Sequence, residues 1–172
     1  NKVPNEKKIF SIYEQHTDII VKGGRKPEFG HKINLGSGRS NLILACDIER
    51  GNPSDAKLFG QMLDQVIEEY GITPRDSVTD GGYASLKNME KAKEKGITNV
   101  VFNKIVGCLR NSASSKNMET RLKKWRSGIE GIISNLKRRF KIRRCDWKGW
   151  EHFKSKVLWS VIGHNIRVMT AL

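Results

Sequence analysis

WRSGIEGIISNLKRRF, residues 125–140, sets the reading of everything around it. Taken at about 100° per residue, it is an amphipathic helix. Trp125, Ile129, Ile132, Ile133, Leu136 and Phe140 fall on one apolar stripe. Arg126, Glu130 and Lys137 fall on a strip beside it, which puts one carboxylate between two cations at the edge of a buried face. Gly128 and Gly131 flank that acid, and each weakens a helix relative to alanine. Their presence predicts a close backbone approach there. Two readings of Glu130 stand side by side: a surface acid paired with Arg126 four residues back, or a functional carboxylate.

The charge of the chain separates those readings. Of the +14 net charge, residues 1–100 hold +1, from 15 Lys/Arg against 14 Asp/Glu. Residues 101–172 hold +13, from 17 Lys/Arg against 4 Asp/Glu. A field concentrated in this way points to a polyanion, nucleic acid first. Trp125, Trp147, Trp150 and Trp159 all lie in the basic segment, so it is not a disordered tail. Length and a 37% hydrophobic content suit one domain with a real core, expected to span 1–172. Three cysteines without a C-x-x-C give no disulfide framework or zinc spacing, and the expected setting is the reducing cytoplasm. No apolar run approaches a membrane span.

The rest of the chain alternates. Ile9–Glu14 and Phe29–Leu35 read as strands, with a turn at Gly23-Gly24 and Lys26-Pro27 between them. Gly36-Ser37-Gly38 is a hairpin turn before the apolar strand Asn41–Ile48. A helix follows Pro53 and runs to about Tyr70, with Asp55 as its cap and Gly71 as its stop. Asp76–Thr79 is a short strand, Leu86–Lys95 a helix closed by Gly96, and Thr98–Phe102 a strand. Residues 103–119 read as a flexible loop. Beyond the Trp125 helix, continued by the basic run Lys137–Arg144, a last helix covers about Trp150–Leu172. The order predicts an α/β fold, a mixed sheet flanked by helices.

Asp80 ends a strand and is followed by Gly81-Gly82. In α/β sheets ligands gather at that end of the strands. The glycines are expected to keep side chains clear of a large ligand, although D-G-G is also an ordinary turn. Two carboxylates that converge among cations suit a hard divalent ion, Mg²⁺ or Mn²⁺. Such a site can serve phosphodiester chemistry.

Thr79–Tyr83 (TDGGY) and Arg126–Phe140 (R-x-G-I-E-x-x-I-S-x-L-K-R-R-F) together resemble the catalytic core of bacterial insertion-sequence transposases of the DDE type. KIFSIYEQHTDIIVKG, FGHKINL and GNPSDAKLF extend the resemblance over nearly the whole chain from about Lys8. It implies a ribonuclease-H-like fold, with Asp80 as the second catalytic Asp and Glu130 as the catalytic Glu, both metal ligands. Arg126 and Lys137 are implied as DNA contacts, and Arg138, Arg139, Arg143 and Arg144 are expected to join them. Lys123 stands where the family often has Tyr, which removes a stacking contact. The family's first Asp is expected upstream of this segment, and the opening at Asn1 without a Met fits an N-terminally truncated domain. Asp18, Asp47 and Asp55 are the internal candidates.

The function so implied is metal-dependent DNA hydrolysis and strand transfer at transposon ends. The partners are double-stranded DNA, as end and as target, and a second copy in an active homodimer. The location is the nucleoid-associated cytoplasm, away from membranes. This segment alone is expected to be inactive. The alternatives are a non-enzymatic DNA-binding remnant of a transposase and a ribonuclease-H-like nuclease. Trp147 and Trp150 are read as core packing in preference to base stacking.

Overall fold

The computed structural model describes residues 3, 8–21, 26–105 and 107–171. The turn at Gly23-Gly24 and the end of the last helix at Leu172 lie outside them. The expected single domain is organised as two compact units, Ser54–Ile132 and Asn1–Pro53 with Ile133–Leu172.

In the unit Ser54–Ile132, helix α1 (Asp55–Tyr70) is followed by β5 (Asp76–Thr79), a 3-10 turn (Gly81–Tyr83), α2 (Leu86–Glu94) and β6 (Asn99–Phe102). Strands β5 and β6 pair in parallel from Asp76 opposite Asn99 to Thr79 opposite Phe102. A parallel pair needs a crossover, and α2 supplies it. Gly71 stops α1 at φ 63°, a left-handed value that glycine adopts without a Cβ penalty. Phe59, Leu63, Met89, Ala92, Ile97, Val100 and Phe102 form the core between α1, α2 and β6. Ser54, not Asp55, is the cap residue of α1; Asp55 stands in the first turn.

Residues 103–119 are more ordered than expected. Ser112 forms an antiparallel bridge to Val100. The Asn111 amide accepts from Phe102 N at 2.7 Å and donates to Phe102 O, which binds the segment to the edge of β6. Lys116–Glu119 already belong to α3 (Lys116–Arg126), capped by Ser115. The Trp125 helix is in fact two. Helix α3 ends at Arg126, Ser127 is its cap, and α4 runs Gly128–Arg138. The Ser127 hydroxyl donates to Lys124 O at 2.6 Å, competing with the helical ladder. The basic run therefore leaves the helix at Arg138, and Lys141 turns the chain at φ 51°.

In the other unit, β1 (Asp18–Ile20) pairs antiparallel with β2 (Glu28–Gly30), and β3 (Lys32–Ser37) with β4 (Ile43–Glu49). The mixed sheet thus consists, among the described residues, of two antiparallel pairs here and one parallel pair in the other unit. The expected strand Phe29–Leu35 is divided at His31. Ile9–Glu14 forms no strand, and Ile9, Ile12 and Tyr13 are exposed. Helix α5 (Trp150–Met169) packs on β4, where Asn165 donates to Ile43 O and accepts from Ile43 N, each at 2.9 Å. Trp150 lies edge-on to His31 at 4.8 Å and stacks on Phe153, with the Arg50 guanidinium 4.3 Å over its ring. It is a packing residue, as read from the sequence. Trp147 is about half exposed, with Lys156 Nζ 5.5 Å from its ring centre.

Candidate functional site

Asp80 follows the last residue of β5, at the edge where both parallel strands end. Its carboxylate accepts from Gly81 N at 2.8 Å and caps the 3-10 turn. That bond fixes the side chain at the strand end. The two glycines are required by neighbouring chain. A Cβ on Gly81 would stand 2.8 Å from Lys104 O, and one on Gly82 would stand 2.5 Å from Asp55 Oδ2. They let the turn press against its own chain, so the turn holds Asp80 still.

Asn88, buried on α2, completes the support and gave no signal in the sequence beyond being a polar residue beside Met89 and Ala92. Its Nδ2 donates to Ala56 O and to Tyr83 O, both at 2.8 Å. It therefore ties the turn after Asp80 to the first turn of α1. A buried amide with both protons used is a rigid clamp.

Glu130 lies in the first turn of α4, where a helix end favours negative charge. The Arg126 Nη2 is 3.2 Å from Glu130 Oε1 and 3.7 Å from Asp80 Oδ2. The two carboxylates, 50 residues apart in sequence, thus meet one nitrogen. They are open to solvent, with side chains 66% and 59% exposed, while that of Arg126 is only 18% exposed. No close approach is seen at Gly131 among the described residues: a Cβ there would meet nothing within 4 Å.

The other expected residues fall as follows. Lys137 and Arg138 close α4, and Arg139, Arg143 and Arg144 follow it; all five are exposed. Arg144 pairs with Asp146 at 3.5 Å. Lys123 forms an ion pair with Glu119 at 2.6 Å. Asp18 is engaged by His31 and by Gly51 N. Asp47 lies on β4 opposite Asn34. Only Asp55, of the three internal candidates, shares a unit with Asp80. Among the described residues no group of three or more His, Cys, Asp or Glu side chains is arranged to hold a metal ion.

A parallel strand pair with a crossover helix thus carries one acid at its strand end, and a second acid reaches the same cation. The family model of the transposase DDE domain matches residues 20–166, and the chain belongs to that family. Its architecture of small sheets and helices is consistent with the ribonuclease-H-like fold, and the chain is a transposase catalytic domain. No curated protein and no solved structure matches it. Among the described residues no helix is long and apolar enough to cross a membrane.

Proposed function

We propose that this domain binds double-stranded DNA at transposon ends and takes part in metal-dependent hydrolysis and strand transfer, with Asp80 and Glu130 as ligands of Mg²⁺ or Mn²⁺. The meeting of both carboxylates at Arg126 Nη2 carries the reading. Two exposed carboxylates drawn to one positive charge are a donor set that fits a hard divalent cation. When bound, such ions activate an attacking oxygen and stabilise the leaving one. Asp80 is held for this by its Gly81 hydrogen bond, and Glu130 by the first turn of α4. Arg126, Lys137, Arg138, Arg139, Arg143 and Arg144 supply the cations for phosphate. The working form is a homodimer in the cytoplasm, at the nucleoid.

With two acids at this edge, the 172-residue chain binds DNA without cutting it, since Mg²⁺ keeps its waters unless several anionic oxygens are well placed. The experiment is a titration of a labelled duplex across salt, followed by incubation with Mg²⁺ or Mn²⁺. Affinity should fall steeply with salt, and reversing the charge of Arg138, Arg139, Arg143 and Arg144 should flatten that slope. An unchanged slope would show that other cations meet the DNA. Metal-dependent nicking abolished by Asp18→Asn, Asp47→Asn or Asp55→Asn would overturn the two-acid reading.

A further inference from the structure

We propose that Arg126 competes with the divalent ion for the Asp80–Glu130 pair and is drawn off by a DNA phosphate, so that metal loading depends on DNA. The inference rests on the reading of that pair as the metal site. Its starting point is the placement of one guanidinium nitrogen, 3.2 Å from Glu130 Oε1 and 3.7 Å from Asp80 Oδ2. An Arg four residues before a Glu on a helix surface is commonplace. Asp80 makes this case different, because it arrives from the end of β5 and not from the helices. The Arg126 side chain is the least exposed of the three, so its stem is covered while its Nη2 reaches both acids.

A guanidinium is positive at every accessible pH. Standing between the carboxylates, it offsets the negative charge that would attract a dication, and it repels the dication directly. The same group is the protein's best match for phosphate, which takes two parallel N–H bonds from the planar fork. Arg126 ends α3, and the turn at Ser127 separates it from α4. Its long side chain can therefore change partner without moving Glu130's helix. In the free protein the guanidinium stays on the acids. On DNA it passes to a phosphate, and both acids then face the ion. Linkage makes the effect reciprocal, so the ion must raise DNA affinity by the same factor.

The test measures Mn²⁺ binding by the electron paramagnetic resonance of the free ion. Wild type, R126Q, R126K, D80N and E130Q are each titrated with and without saturating duplex, and the ion taken up by DNA alone is subtracted. Saturation is verified by anisotropy, and folding by circular dichroism. For wild type, DNA should tighten Mn²⁺ binding by roughly 5- to 150-fold, the usual range of coupling between two sites. Free R126Q should bind Mn²⁺ more tightly than free wild type and gain nothing further from DNA. Free R126K, which keeps the charge, should bind Mn²⁺ like free wild type, but DNA should tighten that binding less, because an ammonium lacks the planar fork. Equal wild-type affinity with and without DNA, or weaker binding by free R126Q, would overturn the competition while leaving the site in place. Mn²⁺ binding that survives in both D80N and E130Q would instead overturn the site itself.

Discussion

The Nδ2 of Asn88 donates to two carbonyls, Ala56 O and Tyr83 O, and alanine at this position would leave both without that donor. Leaving part-buried acceptors unpaired costs up to about 1–3 kcal/mol. Asn88→Ala should lower stability by that amount in urea unfolding. Asn88→Asp should be at least as harmful, because it faces the same carbonyls with acceptors. If both variants unfold like wild type, the clamp is not what holds the Asp80 turn. The positions of Asp80, at a strand end, and of Glu130, beside an apolar helical stripe, were legible in the sequence. The clamp at Asn88 was not, since nothing local says where a helical amide points. Gly81-Gly82 was visible as a turn, but the neighbours that require glycine, Lys104 and Asp55, come from distant parts of the chain.

At the scale of elements, the break between α3 and α4 shows a limit of periodicity. Ser127 keeps near-helical angles, φ −61° and ψ −19°. The apolar residues before and after it therefore stay roughly in phase, and one stripe hides two helices. By contrast α1, α2, β5 and β6 were legible nearly to the residue, because Gly71, Gly96 and Pro53 punctuate them. Ile9–Glu14 has the composition of a strand, yet a strand also needs a partner edge, which composition cannot supply. Gly131 provides a test within α4. It has open space where a Cβ would go. Gly131→Ala should therefore stabilise the free protein by about 0.5–1 kcal/mol, measured by thermal or chemical unfolding. Destabilisation would mean that the helix meets a neighbour on that face.

At the scale of the whole molecule, charge contributes to stability. Three carboxylates of the Ser54–Ile132 unit have pKa values held below their ordinary range: Asp64 by hydrogen bonds from Lys91 and Lys95, Asp76 by Arg75, and Glu119 by Lys123. A carboxylate depressed in the folded state adds stability above its unfolded pKa, 3.8 for Asp and 4.5 for Glu. That stability disappears as pH falls through the lower folded value. Unfolding followed against pH should thus show a plateau near neutrality and a decline beginning below about pH 4.5. A decline already complete at pH 6 would require other groups. The basic surplus was legible from composition alone, whereas the division into two units was not, since residues 133–172 join residues 1–53 across the intervening unit. Whether Asp80 and Glu130 hold one metal site can be tested directly. Replacing the divalent ion with Fe²⁺ in the DNA-bound protein and generating hydroxyl radicals would cut the backbone next to the ion. Cuts near residues 80 and 130, both lost in Asp80→Asn and in Glu130→Gln, are the predicted result. Cuts confined to other positions, or unchanged by either substitution, would contradict it.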